Sequence, residues 1–241
     1  MRAERDDIRM LAQQLTKDKG CVGKEMLNHI ELMINGIAVE LHPTPAILNN
    51  PLYNHRLQKW LKRNVDLQCS NVVELPDDAG EIAVPTCAFN VVYQLIHLYH
   101  HYFYEGVGLR QIVDYYYVVI SDEALIIRDT LQEELKRLGL WKFAGYVMYL
   151  LHEALGLPEE KMIAPMDERR GKLLLTEILS GGNFGQYDER YGFGHSSFGH
   201  NMQRLCRDLR FVRFYPAEAL SEPIFRIWHF FWRVRNKRSC N

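Results

Sequence analysis

The sequence predicts an α+β protein, with a small antiparallel sheet near its start followed by an all-helical C-terminal domain. The first observation is Asn35-Gly36, which joins two runs of alternating apolar and polar residues. This dipeptide is typical of a two-residue hairpin turn, because both of its residues adopt positive φ. The second observation is a change of apolar period from two to about 3.6 after Pro85-Thr86. We therefore expect an α+β region over residues 1–84 and a helical domain over residues 85–241.

The elements follow from local patterns, taken in chain order. In the α+β region we expect a helix over 4–19, a hairpin over 26–42, a short helix over 52–62 and a second hairpin over 72–84. Thr86 is a suitable N-cap for a helix that ends near Tyr104. Apolar spacing and capping residues then predict helices over 109–120, 122–139, 141–155, 167–180, 198–213 and 218–236, with a glycine-rich segment over 181–199. We expect the aromatic face of the last helix to pack against the domain.

Composition excludes some classes of protein. The formal net charge of −1 over 241 residues gives no strong signal for nucleic-acid binding. The five cysteines are widely separated and none forms a C-x-x-C pair, which favours reduced thiols in the cytoplasm. The first residues lack the apolar region of a signal peptide, and no apolar run approaches the roughly 18 residues of a membrane span. We therefore expect a cytoplasmic protein without a membrane span.

The two-residue turn also predicts which side chains share the polar face of the first hairpin. Glu31 lies opposite Glu40, and His29 lies opposite His42, with the apolar residues on the other face. Like charges directly opposite each other destabilise a sheet, so a divalent metal or a cationic substrate would offset this cost. We expect Glu40, alone or with Glu31, to bind a metal, supported by His29 or His42. The alternative is a solvated face whose histidines only form hydrogen bonds.

A second group of polar residues follows in the helical domain. His97, His100 and His101 occupy neighbouring positions on one helix, and Arg110 and Asp114 share a face of the next. Histidine and arginine bind phosphate oxygens, and Asp114 would orient one of these groups. One alternative is a zinc site made by the three histidines, although their spacing is not a recognised one. The other is a structural ion pair between Arg110 and Asp114, with the histidines packed between helices.

Seven short segments along the chain carry recognisable patterns: residues 36–42, 94–100, 109–114, 139–143, 154–158, 181–185 and 215–220. Together they resemble the uncharacterised nucleotidyltransferase family of bacterial proteins. The later ones resemble members found in Bacteroides-like bacteria, and the resemblance covers residues 25–235. It implies a partial polymerase-β-type nucleotidyltransferase core within the α+β region. It also implies transfer of a nucleotidyl group from a nucleoside triphosphate to an unknown acceptor, with Mg²⁺ as the metal.

The resemblance assigns candidate roles position by position. Glu40 matches the third metal-side carboxylate of the family's fold and is the candidate catalytic residue. Substrate-binding candidates match recurrent polar positions of the family, and they are His42, His97, His100, Arg110 and Asp114. Glu31 joins Glu40 as a candidate metal ligand because the hairpin register places it opposite.

One departure from the family pattern affects the expected activity. The family's Gly-Ser turn and Asp-x-Asp strand, which hold two metal ions, are not found before Glu40. Glu4-Arg-Asp6 has the spacing of such an acidic pair, but it lies at the start of a predicted helix. We expect the chain to begin just after the catalytic strand and to show weak or no transferase activity alone. The alternatives are a non-catalytic binding or interaction protein that retains the nucleotidyltransferase shape, and a histidine-based metallohydrolase.

Overall fold

A computed structural model of the protein describes residues 2–17, 20–25, 29–104, 107–181 and 216–237. It has two small antiparallel sheets and a helical C-terminal region, so the predicted α+β class is confirmed. Its contacts divide the chain into two compact units, residues 1–47 and 48–241. The domain boundary expected at residue 84 stays a prediction. The helix expected over 198–213, and the glycine-rich segment beyond Gly181, lie outside the described residues.

The first unit contains one helix and a three-stranded sheet. Their bounds are α1 (Arg2–Thr16), β1 (Gly20–Glu25), β2 (Ile30–Ile34) and β3 (Ile37–Leu41), and the strand order is β1-β2-β3. Strand β1 was not predicted, because Gly20 was interpreted as the end of the helix. That interpretation was wrong. A Cβ on Gly20 would lie 2.5 Å from the carbonyl oxygen of Met33, so glycine instead permits β1 to approach β2.

The predicted hairpin and its register are confirmed. Asn35 and Gly36 have φ of 51° and 77°, as the two-residue turn requires. Ile34 lies opposite Ile37, Leu32 opposite Val39, and Glu31 opposite Glu40. Ile30 and Leu32 are buried with Ala12 of α1, while Ile37, next to the turn, is exposed. Burial of this apolar face directs Glu31 and Glu40 to the opposite face of the sheet.

The second unit begins with a helix that is longer than predicted. Helix α2 (Pro51–Ser70) starts where the side chain of Asn50 accepts hydrogen bonds from the amides of Leu52 and Tyr53. Its later turns are mostly exposed, so apolar spacing underestimated its length. The predicted second hairpin is confirmed as β4 (Val72–Glu74) and β5 (Glu81–Ala83).

The remaining described helices follow the predicted pattern with one break. They are α3 (Cys87–Tyr104), α4 (Leu109–Val119), α5 (Asp122–Ile126), α6 (Arg128–Arg137), α7 (Trp141–Leu155), α8 (Glu168–Gly181) and α9 (Pro216–Lys237). The single helix expected up to Gly139 is divided in two at Ile127, whose φ and ψ of −95° and 13° are not helical. Helix α7 has its predicted bounds and ends at Gly156, in the left-handed conformation.

Helix α7 lies at the centre of the second unit. Residues 143–151 are all buried, and α7 packs against α4, α6 and α8. Helix α3 packs against α4, α5 and α6. Helices α3 and α4, which carry four of the five predicted substrate-binding residues, are therefore adjacent and belong to the same core.

Helix α9 differs from the expectation that its aromatic face is packed. Ile224, Ile227, Phe230 and Phe231 are exposed, so that prediction was wrong for these side chains. The helix does contact the start of the unit, where the Asn50 side-chain amide donates a hydrogen bond of 3.3 Å to Ser221 Oγ. None of the helices described is both long and apolar enough to cross a membrane.

Candidate functional site

The polar hairpin face, which we define as His29, Glu31, Glu40 and His42, brings four predicted residues of the first unit together. Glu31 and Glu40 are direct partners across β2 and β3. His42 Nε2 lies 3.1 Å from Glu40 Oε2, and His29 Nε2 lies 3.6 Å from Glu31 Oε1. The rings of His29 and His42 have their centroids 5.4 Å apart. Each carboxylate therefore has an imidazole as its neighbour.

These side chains differ in their contact with solvent. The exposed fraction is 13% for His29 and 34% for His42, against 48% for Glu31 and 55% for Glu40. Ion pairs between such exposed groups contribute little to stability, because water screens them. The carboxylates therefore remain accessible to a ligand, while the imidazole of His29 is held against the protein.

Three of the four residues have the arrangement of a metal-binding group. One ligand atom each from His29, Glu40 and His42 lies within 4.8 Å of the other two. Glu31 is outside this group, although the sequence predicted it as a ligand with Glu40. The sequence predicted His29 only as a residue that supports the metal. Because the hairpin register places His29 opposite His42, it also indicates that both imidazoles can contact the same ion. Among the residues described, no comparable group forms around the α3 histidines.

The donor set fits Mg²⁺ only in part. Mg²⁺ prefers oxygen ligands and binds through one or two carboxylates together with the phosphates of its substrate. Glu40 and Glu31 supply carboxylates of this kind. Imidazole nitrogens suit transition metals better than Mg²⁺. The carboxylates of the polar hairpin face are therefore compatible with a metal–triphosphate complex, while its histidines are not explained by Mg²⁺.

In the second unit, the α3 histidines continue a row of stacked rings. The ring of Phe89 lies 4.9 Å from that of Trp60 and 5.8 Å from that of Tyr93, and Tyr93 stacks on His97 at 6.3 Å. Burial raises the pKa of the Tyr93 hydroxyl above its usual value, so this ring stays uncharged. His97 therefore lies at the exposed end of this row of stacked rings.

The three histidines differ in their surroundings. His101 is buried, and its Nε2 lies 3.0 Å from Nε2 of the exposed His97. This distance permits one hydrogen bond, with the direction set by the tautomer. His100 is half-buried, with its ring centroid 6.0 Å from that of His101. His97 and His101 therefore form a pair, and His100 lies beside it.

Helix α4 presents Arg110 and Asp114 on its exposed side. Ile112, Tyr115 and Val119 are buried on the opposite side and fix the orientation of the helix. The start of the helix is fixed as well, because the amide of Gly108 donates a hydrogen bond of 2.9 Å to Gln111 Oε1. The ion pairs found among the described side chains do not include one between Arg110 and Asp114. Both residues are exposed.

Comparison with known proteins identifies a family whose model matches most of the chain. The model of a family described as uncharacterised nucleotidyltransferase matches residues 3–156, which are 154 of the 241 residues. No curated protein and no solved structure matches the chain significantly. The match includes the polar hairpin face and the polar residues of α3 and α4. Because it covers more than half of the sequence, the chain belongs to the uncharacterised nucleotidyltransferase family.

Proposed function

We propose that this protein binds a nucleoside triphosphate with a divalent metal through Glu40, and that its function is related to transfer of a nucleotidyl group to an acceptor hydroxyl. Membership of the nucleotidyltransferase family supports the class of reaction. The observation that carries the proposal is the position of Glu40. Glu40 is paired with Glu31 across β2 and β3, and its carboxylate lies 3.1 Å from an imidazole, on an accessible face.

Each residue of the polar hairpin face has a role in this proposal. Glu40, with Glu31 across the strand pair, contacts the Mg²⁺ that accompanies the triphosphate. His42 forms a hydrogen bond to Glu40 and orients the carboxylate. Bound metal would neutralise phosphate charge and polarise a phosphoryl oxygen. Glu31 and Glu40, which are paired across the two strands, would then repel each other less when the complex binds.

Within the second unit, the polar residues of α3 and α4 are the proposed contacts to anionic groups of a substrate. His97 of α3 and Arg110 of α4 are exposed, and His100 of α3 is half-buried, so all three can present donors to anionic oxygens. Asp114 lies one turn after Arg110 on the same exposed side and would orient it when substrate binds. The proposed acceptor is a hydroxyl compound.

The proposed activity of this polypeptide by itself is weak or absent. Its 241 residues contain no Gly-Ser turn followed by an Asp-x-Asp strand. Two-metal catalysis requires ligands for both ions, and Glu40 is a single carboxylate of such a set. The same feature supports the second candidate function, a binding or interaction protein that retains the nucleotidyltransferase shape without catalysis.

The test is the affinity for a nucleoside triphosphate in the presence of Mg²⁺, measured by isothermal titration calorimetry. We expect Glu40→Ala to weaken binding by a factor on the order of ten, the effect of losing about 1.4 kcal/mol. The matched control is Glu81→Ala, because Glu81 lies opposite Glu74 in the second hairpin and forms another pair of facing carboxylates. We expect the control to bind like the wild type.

Two outcomes would contradict parts of this proposal. Equal affinities for Glu40→Ala and wild type would refute the role of Glu40 and favour the interaction protein. Transfer from a nucleotide labelled at the α-phosphate is the second measurement. Strong Mg²⁺-dependent transfer that Glu40→Ala abolishes would confirm the site and show that the expectation of weak activity is wrong.

A further inference from the structure

We infer that His29, Glu40 and His42 form a binding site for a transition metal ion of the Zn²⁺ class, which binds without nucleotide and in preference to Mg²⁺. Each residue contributes one ligand atom, and these three atoms lie within 4.8 Å of one another. The site has two nitrogen donors and one oxygen donor. It therefore differs in chemistry from an oxygen-only magnesium site.

The distances suit a tetrahedral ion after small side-chain movements. Zn²⁺ binds imidazole nitrogen and carboxylate oxygen at about 2.0–2.2 Å, which places neighbouring ligand atoms roughly 3.3 Å apart. His42 Nε2 and Glu40 Oε2 are 3.1 Å apart and already meet this requirement. The carboxylate of Glu40 is 55% exposed, so rotation of its side chain is not blocked by packing.

The hairpin holds the three residues at a fixed spacing. Glu40 and His42 are two residues apart and share one face of the chain, because successive side chains of a strand alternate. His29 immediately precedes β2 and lies across from His42, with the two rings 5.4 Å apart. The buried residues Ile30 and Leu32 anchor β2 beside it. Metal binding would therefore restrict few additional rotatable bonds of the side chains, so its entropy cost is small and the affinity is higher.

The identity of the donors predicts the selectivity. Two imidazoles and one carboxylate suit Zn²⁺, Co²⁺ and Ni²⁺, whereas Mg²⁺ binds nitrogen poorly and requires near-octahedral oxygen ligands. Three protein ligands leave a fourth position for water or for a substrate oxygen. Glu31, 3.6 Å from His29 Nε2, is near enough to orient that imidazole after a small shift.

This inference does not rest on nucleotidyl transfer, since it concerns the metal and the first hairpin alone. Zn²⁺ binding in a protein that fails to bind nucleotide would refute only the proposed function. Nucleotide binding in a protein that fails to bind Zn²⁺ would refute only the metal site.

The experiment titrates the full chain, freed of metal with a chelator, with Zn²⁺ in the absence of nucleotide. Isothermal titration calorimetry gives the stoichiometry, and Co²⁺ substitution reports the coordination through its visible absorption. We expect His29→Ala and His42→Ala to lose one equivalent of Zn²⁺, and Glu40→Gln to weaken that equivalent at least about tenfold. A large excess of Mg²⁺ should not displace the ion.

His55→Ala is the matched control, because His55 is an exposed histidine of α2 outside the group. We expect it to bind Zn²⁺ like the wild type. Unchanged stoichiometry and affinity in both His29→Ala and His42→Ala would overturn the inference, as would displacement by equimolar Mg²⁺. Circular dichroism verifies the fold of each variant. If an alanine variant fails to fold, Glu40→Gln, which preserves side-chain shape, decides the outcome against His55→Ala.

Discussion

At the scale of single residues, Tyr115 of α4 has an unusual environment. Its side chain is fully buried, and its hydroxyl has no hydrogen-bond partner within the described part of the structure. Burial raises the pKa of this hydroxyl well above its ordinary value of 10.0. The folded state therefore retains the phenolic proton more tightly than the unfolded state. The contribution of this raised pKa to the free energy of unfolding is fully present below the ordinary pKa of the hydroxyl. It is lost progressively as the pH rises above that value.

We expect Tyr115→Phe to stabilise the protein by up to about 1 kcal/mol at neutral pH, because it removes an unsatisfied buried hydroxyl. The free energy of unfolding of the wild type should also fall more steeply above about pH 10 than that of the variant. Urea unfolding at neutral and alkaline pH measures both effects. The control is Tyr117→Phe, since Tyr117 is 69% exposed. A destabilised Tyr115→Phe would show that the hydroxyl has a favourable partner.

The residues of the polar hairpin face could be predicted because a local turn determines them. Asn35-Gly36 sets the pairing of Glu31 with Glu40 without any tertiary information. The pairing of His97 with His101 also follows from helical spacing. The burial of Tyr115 could not be predicted in this way, because it depends on which faces of α4 meet the neighbouring helices.

At the scale of elements, two glycines that follow helices have similar backbones but different surroundings. Gly139, after α6, has φ of +78°, and Gly156, after α7, has φ of +70°. A Cβ on Gly139 would lie 2.5 Å from the ring of Tyr53, whereas a Cβ on Gly156 would meet nothing within 4 Å. The first glycine is thus required by packing as well as by backbone conformation.

We expect Gly156→Ala to cost about 1 kcal/mol of stability, the strain of a left-handed alanine. Gly139→Ala should cost at least about 2 kcal/mol, because the ring of Tyr53 or the turn between α6 and α7 must also move. Chemical denaturation of the two variants provides the comparison. Equal losses would mean that Tyr53 yields freely and that the close approach has no energetic consequence.

The elements that the sequence failed to predict have identifiable causes. Strand β1 contains two glycines and shows no clear apolar alternation, so its own residues do not indicate a strand. It forms because it pairs with β2. Helix α2 continues through exposed turns that carry no apolar stripe. The break at Ile127 follows no glycine or proline, and so lacks the local signals by which helix ends are recognised.

At the scale of the whole molecule, the elements of the second unit differ strongly in how far they are buried from solvent. Residues 143–151 of α7 are all buried, whereas every residue of β4 and β5 is exposed. Amides open to solvent more readily where few buried contacts hold the backbone. The two-stranded hairpin is therefore expected to open more readily than α7.

Hydrogen–deuterium exchange followed by mass spectrometry should rank these elements in the native chain. We expect the slowest exchange in α7, at a rate that approaches the limit of global unfolding, and fast exchange in β4 and β5. Peptides from α9, with its exposed apolar side chains, should exchange faster than those from α7. Protection of the second hairpin equal to that of α7 would contradict this ranking.

The fold class was predictable at this scale, since a hairpin turn and a change of apolar period are both local signals. The two compact units were not, because a division between Ile47 and Leu48 depends on contacts that form only after folding. The domain boundary that the sequence places at residue 84 stays a prediction.

The tight loop at Asn35-Gly36 has an evolutionary consequence. An extra codon there that shifted the pairing of β3 with β2 by one residue would invert every side chain of β3, exchanging Val39 and Leu41 with Glu40 and His42 between core and solvent. Natural variants of this protein should therefore tolerate replacement of one charged group far more readily than any change in the length of this loop.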